Sequence, residues 1–202
     1  MSLIVSSNAT GGFAPMEAGT YPAICYGLVD LGEQYSETYD KWSPKILILF
    51  EIPGETLEIN GEEVSRTMSK SYTMSLNEKA ALRKDLASWR GRDFTPEELK
   101  GFDLRNILGA PCMVSVIHRE RGGKTYADIN GIMKLPKSIP VDLPRCKKIV
   151  FDLDESPLSD MEKLPEWIQE RIRGSQTYAQ RIGLVREATE QTDDIDDEEV
   201  PF

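Results

Sequence analysis

The chain has 202 residues, of which 40% are hydrophobic, enough for one ordinary domain with appendages. It contains no run of about 18 apolar residues, and its first residues lack the basic start of a signal peptide. The sequence therefore predicts a cytoplasmic protein that does not contact a membrane.

The residues that usually build metal and catalytic sites are scarce. Cys25, Cys112 and Cys146 are widely spaced without a CxxC pair, and His118 is the single histidine. This pattern argues against a disulfide framework, a zinc site and a histidine-based triad. No glycine-rich phosphate loop or carboxylate cluster with metal-binding spacing appears in the sequence. We therefore expect a protein that is not an enzyme and carries no metal or cofactor.

The net charge of −10 is unevenly distributed along the chain. Eight of the 34 acidic residues lie between Glu187 and Phe202, where no basic residue occurs. The remaining 26 acidic residues face 24 basic ones, a net charge of −2 over residues 1–186. Because such an acidic block cannot bury enough apolar surface to fold, residues 187–202 are predicted to be a disordered tail. Residues 1–16, rich in Ser, Asn and Gly, are predicted to be a flexible arm.

The first half of the chain is predicted to be mainly β-structure. Residues 20–32 are rich in β-formers and predict a strand, followed by a polar loop at 33–43. Residues 44–54, PKILILFEIPG, form a short apolar run typical of a buried strand. Asn60-Gly61 predicts a hairpin turn, and the strict alternation of residues 64–74 predicts a third strand.

Two helices are predicted next. Ser75 and Glu78 have the spacing of a capping box, and the apolar spacing that follows predicts a helix ending at Gly91. In that helix Trp89 shares the apolar face and is expected in the core. Residues 95–101 start with Thr-Pro-Glu-Glu, a typical N-terminus for a second, short helix.

The rest of the chain is predicted to complete one domain and add an extension. Residues 110–120 and 124–135 alternate as a β-hairpin, which closes a domain at 17–137. Residues 138–186 form a C-terminal extension, with a helix near 164–173 predicted from its apolar spacing. That helix has an apolar face that can pack on the domain or on a second subunit, so a homo-oligomer is an open alternative.

This order of elements predicts a mainly β fold: a five-stranded OB-fold barrel with a helix between strands 3 and 4. Such barrels bind oligonucleotides or oligosaccharides on strands 2 and 3 and on their connecting loops. A small β-sandwich capped by helices is the alternative.

Two stretches of the chain resemble the single-stranded DNA-binding proteins of phages and bacteria. Residues 196–202, DDEEVPF, are similar to the acidic C-terminal tip of that class, which ends in Pro-Phe or a lone Phe. Residues 75–116 are similar to a segment of phage-encoded replication proteins that bind DNA through an OB-fold. The resemblance covers residues 17–137 and the tail but not residues 141–186. It implies a protein that protects single-stranded DNA during replication or recombination in a bacterial or phage-infected cytoplasm.

Binding of single strands without sequence preference needs aromatic rings for base stacking and Lys or Arg for phosphates. The predicted loops and the third strand provide both. The candidate DNA-binding residues are Tyr35, Tyr39, Trp42, Lys45, Arg66, Lys70, Tyr72, Arg119, Arg121, Lys124 and Tyr126.

Each group of candidates has a structural alternative. The aromatic residues of the first loop can instead form a lid on the barrel. The even-numbered face of strand 3 can point inward, with Tyr72 in the core and the Ser/Thr face exposed. The residues around Gly122-Gly123 can be a solvated hairpin tip. Arg90 and Arg92 are either phosphate contacts or surface charges, and His118 is expected to be structural.

The tail is expected to have two functions. Its acidic residues mimic DNA and compete for the binding groove, and the tip then binds replication or recombination proteins. The candidate partner-binding residues are Asp193, Asp194, Asp196, Asp197, Glu198, Glu199, Pro201 and Phe202. The alternative is a solubilising tail. For the whole protein, the alternatives are a strand-annealing or recombination mediator, and a protein-interaction or virion accessory module whose tail mimics DNA.

Overall fold

The computed structural model describes the backbone of residues 14–193 and the side chains of residues 14–184. Most of the predicted N-terminal arm and the tail residues after Asp193 lie outside the described residues. The predicted partner-binding residues Asp194, Asp196, Asp197, Glu198, Glu199, Pro201 and Phe202 are among them.

The described chain is mainly β-structure. Its strands are β1 (Gly19–Ser36), β2 (Lys41–Ile59), β3 (Glu62–Thr73), β4 (Pro111–Arg121), β5 (Lys124–Met133) and the short β6 (Ile149–Phe151). The sheet order is β3-β2-β1-β4-β5 with antiparallel neighbours, and β6 pairs in parallel with β1. The helices are α1 (Ala81–Arg90), α2 (Pro96–Lys100), α3 (Glu166–Arg173) and α4 (Gln176–Asp193), with 3₁₀ helices at Leu104–Ile107 and Leu158–Lys163. The first residues of the predicted disordered tail, 187–193, belong to helix α4.

The five long strands curl into a nearly closed antiparallel barrel. The register of β1 against β2 shifts at two places, between Cys25 and Gly27 and between Asp30 and Glu33, and such bulges bend and twist a strand. At the open side, Lys70 of β3 donates a hydrogen bond of 2.7 Å to the carbonyl of Asn130 in β5. The mainly β, barrel-forming fold predicted from the sequence is confirmed.

The β2 strand is buried on both faces. Its residues Ile46, Ile48, Phe50 and Ile52 lie in the barrel core, together with Trp89 and Leu86 of α1. Leu47 and Leu49 point outward into a second core. A strand between two apolar layers is apolar throughout, which explains the continuous run ILILF.

The second core is formed by the C-terminal extension. Phe151 and Leu153 around β6, and Ile168 and Ile172 of α3, are at most 2% exposed and pack on the outer side of β1 and β2. Gly32 lies at this contact with φ of +67°, and a Cβ there would come within 2.8 Å of Leu153 Cδ2. The extension is therefore a second layer on the barrel.

Glu51 connects the two layers through hydrogen bonds. Its side chain is 0% exposed, and its carboxylate accepts the backbone N–H groups of Arg145 at 2.8 Å and Cys146 at 2.9 Å. Burial raises the pKa of Glu51, but these hydrogen bonds outweigh it, and the pKa lies below its ordinary value. Ionised Glu51 thus holds the chain that leads from β5 to β6.

Two local predictions were wrong. Ser75 does not cap the helix: its hydroxyl accepts the N–H of Asn77 in a turn, and α1 begins only at Ala81 without a side-chain cap. The predicted loop at 33–43 is largely strand, and only residues 37–40 form a turn. The second helix was predicted well, since Thr95 and Glu98 form a reciprocal capping box.

Candidate nucleic-acid interface

Three exposed aromatic rings lie at the β1–β2 turn, and we call Tyr35, Tyr39 and Trp42 the aromatic tip. Tyr35 and Trp42 are cross-strand partners with ring centroids 5.4 Å apart. The exposed fractions are 48% for Tyr35, 74% for Tyr39 and 44% for Trp42, and neither core includes these residues. Tyr35 donates a hydrogen bond to the Asp40 carboxylate, which raises the pKa of Tyr35. The tip exposes three aromatic side chains to solvent.

Basic side chains lie next to the aromatic tip. Lys45 Nζ donates to Thr73 Oγ1 at 2.6 Å, and Arg171 Nη2 of α3 donates to Ser71 Oγ at 3.2 Å. Lys41 is exposed at the start of β2. We call Lys41, Lys45 and Arg171 the basic seam, because it lies where the barrel meets the extension.

The described carboxylates do not neutralise the charges of the basic seam. Within residues 14–184, no salt bridge involves Lys41, Lys45 or Arg171. Burial lowers the pKa of Lys45, and the nearby charges of Arg171 and Lys41 lower it further. Burial also lowers the pKa of Arg171. An anion placed here would relieve the repulsion between these cations.

The even-numbered face of β3 points into the protein. Tyr72 is 3% exposed and donates to Asp85 at 2.6 Å, and burial followed by the Asp85 charge raises the pKa of Tyr72. Lys70 Nζ donates to Asp85 at 2.7 Å. Arg66 donates to the carbonyl of Ala14 at 3.0 Å. Lys70 and Tyr72 therefore close the barrel here. The opposite face of β3, with exposed Ser71, meets solvent. This is the alternative orientation of the strand that the sequence left open.

The β4–β5 hairpin carries the other predicted cations. Arg119 lies 3.6 Å from the Asp128 carboxylate, and Arg121 forms a salt bridge with the same carboxylate. The Arg121 guanidinium also lies 5.7 Å from the centroid of the Tyr126 ring. Lys124 is exposed at the turn. One carboxylate shared by two arginines lowers the local positive charge of this hairpin.

The structure separates the predicted residues into two groups. Ser36 pairs with Lys41 at one end of β1, next to the aromatic tip, whereas Gly19 pairs with Val116 of β4 at the other end. The β4–β5 turn therefore lies beyond the opposite end of β1 from the β1–β2 turn. The two predicted loops do not form one cluster.

Several other residues singled out from the sequence have structural contacts. Trp89 is 6% exposed, and its Nε1 donates to the carbonyl of Pro111 at 2.8 Å, as expected for a core residue. Arg90 and Arg92 both form salt bridges with Glu98, so they are not free for phosphates. His118 Nε2 lies 2.8 Å from the carbonyl oxygen of Met16.

Sequence reasoning missed Arg171 as part of a site, and it left open which face of β3 meets solvent or ligand. The alternation of residues 64–74 revealed two faces but not which one was outside. Arg171 is 126 residues from Lys45 along the chain, and no local pattern connects them.

Within residues 14–184, no group of three or more His, Cys, Asp or Glu side chains is arranged to hold a metal ion. None of the described helices is long and apolar enough to cross a membrane. No protein-family model and no curated protein matches the sequence. The function is therefore argued from the geometry of this chain.

Proposed function

We propose that the chain is an OB-fold protein that binds and protects single-stranded DNA in phage or bacterial replication or recombination. The strand order supports the OB-fold: β1 pairs with β2 and β4, and the edges β3 and β5 approach each other. The chain also enters α1 between β3 and β4.

The observation that carries the proposal is the exposed aromatic tip beside the basic seam, whose cations pair with no carboxylate among residues 14–184. Stacking of a base on an aromatic side chain contributes about 1–3 kcal/mol, and every base has a stacking face. Lys45 and Arg171 lie where phosphates of the same strand would pass. This combination suits single strands of any sequence better than a duplex, whose bases are not free to stack.

The C-terminal extension determines the path of the bound strand. It covers Leu47 and Leu49 on the outer side of β2, so DNA cannot cross the middle of that strand. The remaining route runs from the aromatic tip over the basic seam and along the exposed Ser/Thr face of β3.

The acidic tail is a second part of the proposal, and it depends on composition alone. Its carboxylates compete with DNA for the basic seam at an effective concentration set by the connecting chain. Bound DNA releases the tail, which then recruits partner proteins through Pro201 and Phe202.

Fluorescence titration with oligo-dT at two salt concentrations tests the proposal. We expect micromolar or tighter binding that weakens with salt, because phosphates release counterions when Lys and Arg bind them. Deleting residues 193–202 is expected to tighten binding if the tail competes. Absence of binding at low salt, by intact and truncated protein alike, would refute the function.

The contribution of the tip is tested with matched variants. Trp42→Ala is expected to weaken binding by about 5- to 150-fold, the equivalent of one stacked base. Ile59→Ala is the control, since Ile59 is an exposed apolar residue (37% exposed) at the far end of the same strand. Equal losses in the two variants would contradict a specific role of the tip.

A further inference from the structure

Helix α3 of the C-terminal extension presents an exposed aromatic ring and a cation on one side. Trp167 is 45% exposed, although its neighbour Ile168 is fully buried. Trp167 and Arg171 are four residues apart, so their side chains are adjacent on the helix surface. The buried residues Ile168 and Ile172, about 100° further round the helix, attach α3 to the barrel.

This side of α3 adjoins the aromatic tip. The Gln34 side chain donates to the carbonyl of Arg171 at 2.8 Å and to the carbonyl of Leu31 at 2.7 Å. Gln34 immediately precedes Tyr35, and it pairs with Ser43 next to the Tyr35–Trp42 pair. The C-terminal end of α3 is thus held beside the tip, with the Arg171 guanidinium on Ser71 of β3.

We infer that α3 is a nucleic-acid-binding element, in which Arg171 binds a phosphate and Trp167 stacks on a base beyond the aromatic tip. The inference rests on the proposed function and extends it to the C-terminal extension, a region that the resemblance to single-stranded DNA-binding proteins does not cover. The ligand is single-stranded DNA, because exposed rings of the tip and of Trp167 flank Arg171, a cation that forms no salt bridge within residues 14–184.

The charges around the path agree with this assignment. At 100° per residue, Arg171 lies on the barrel side of Trp167, and Glu170 lies on the other side, toward solvent. Glu166 is already paired with Arg173 at 2.9 Å. A DNA strand that runs from the aromatic tip over Arg171 to Trp167 therefore passes the Arg171 guanidinium before it reaches the exposed Glu170.

The test compares Trp167→Ala, Arg171→Ala and Arg171→Lys with the full-length protein, using oligo-dT of increasing length. Lys100→Ala is the charge-matched control, since Lys100 is an exposed lysine on the short helix α2. We expect Trp167→Ala to weaken binding of long oligonucleotides by about 5- to 150-fold, with little effect on oligonucleotides that fill only the tip.

Arg171 is tested by the salt dependence of binding. Arg171→Ala is expected to reduce the slope of log K against log salt by about 0.7, the value for one phosphate of a single strand. Arg171→Lys is expected to restore most of that slope, and Lys100→Ala to leave it unchanged. Rescue by lysine separates phosphate binding from a purely structural role, and thermal melting of each variant identifies any loss of folding.

The outcomes separate the two proposals. If the full-length protein binds oligo-dT while Trp167→Ala and Arg171→Ala bind all lengths with unchanged affinity and slope, the inference is wrong and the proposed function stands. If the full-length and tail-deleted proteins bind no oligo-dT, both are wrong.

Discussion

Replacing Glu51 tests whether one buried carboxylate joins the extension to the barrel. In Glu51→Ala, the N–H groups of Arg145 and Cys146 lose acceptors at 2.8 and 2.9 Å. A hydrogen bond to a charged group contributes about 1.5–3 kcal/mol, and because both of these bonds are only partly buried the lower end applies to each, so we expect a loss of about 3 kcal/mol in the free energy of unfolding. This is a large part of the roughly 5–15 kcal/mol that stabilises a typical domain.

The same residue predicts a pH dependence. The pKa of Glu51 lies below its ordinary value of 4.5 in the folded protein. Its contribution to stability is therefore complete above the pKa of the unfolded chain and is lost as the pH falls through the lower folded pKa. Glu51→Gln keeps one acceptor oxygen but no charge, so it is expected to be less stable than the parent at pH 7 and to approach it in acid.

Urea denaturation from pH 3 to pH 7, followed by tryptophan fluorescence, measures both effects. Limited proteolysis of residues 138–147 reports whether the chain between the layers is released. Glu63→Gln is the control, because Glu63 is an exposed carboxylate that contacts Arg145 through its side chain at 3.4 Å. If Glu51→Gln matched the parent protein at every pH, Glu51 would not hold the two layers together.

Two further substitutions test the barrel. Asp85→Ala removes the acceptor for a lysine and a tyrosine of β3, at 2.7 and 2.6 Å, and is expected to lower the free energy of unfolding by about 2–5 kcal/mol in urea. Asp85→Asn keeps one acceptor oxygen, so we expect it to lower the free energy of unfolding less than Asp85→Ala does. Gly32→Ala is expected to destabilise the protein by more than about 1 kcal/mol, because φ is +67° and the new Cβ would lie 2.7 Å from Ser175 Oγ. Gly54→Ala, where a Cβ meets no described atom within 4 Å, is the control, and equal melting temperatures of the two variants would contradict the reasoning.

Much of the barrel was predictable from local patterns. Runs of β-forming residues, alternation and turn signals identify all five long strands, and the Thr-Pro-Glu-Glu start at residues 95–98 identifies α2, because these features depend on neighbours in the chain. The ends of elements were predicted less well. The polar residues after Gly32 concealed a strand that continues to Ser36, since its support comes from pairing with Lys41 and Trp42.

The candidate site was predictable only in part. The sequence identified the aromatic tip and Lys45 by residue type, and in the structure they lie at the same end of β2. It also suggested Tyr72 and Lys70, which instead bind Asp85 and close the barrel. Our proposed interface therefore leaves both out.

The sequence by itself determined that the chain is a mainly β protein, with its acidity concentrated near the end and a single histidine. Local periodicity and composition carry that information without reference to distant residues. Only the tertiary structure decided which face of β3 meets solvent, that β2 lies between two cores, and that Arg171 joins Lys45. These outcomes depend on which face of each strand is covered by a second apolar layer. The layer that covers β2 comes from residues about 100 positions further along the chain.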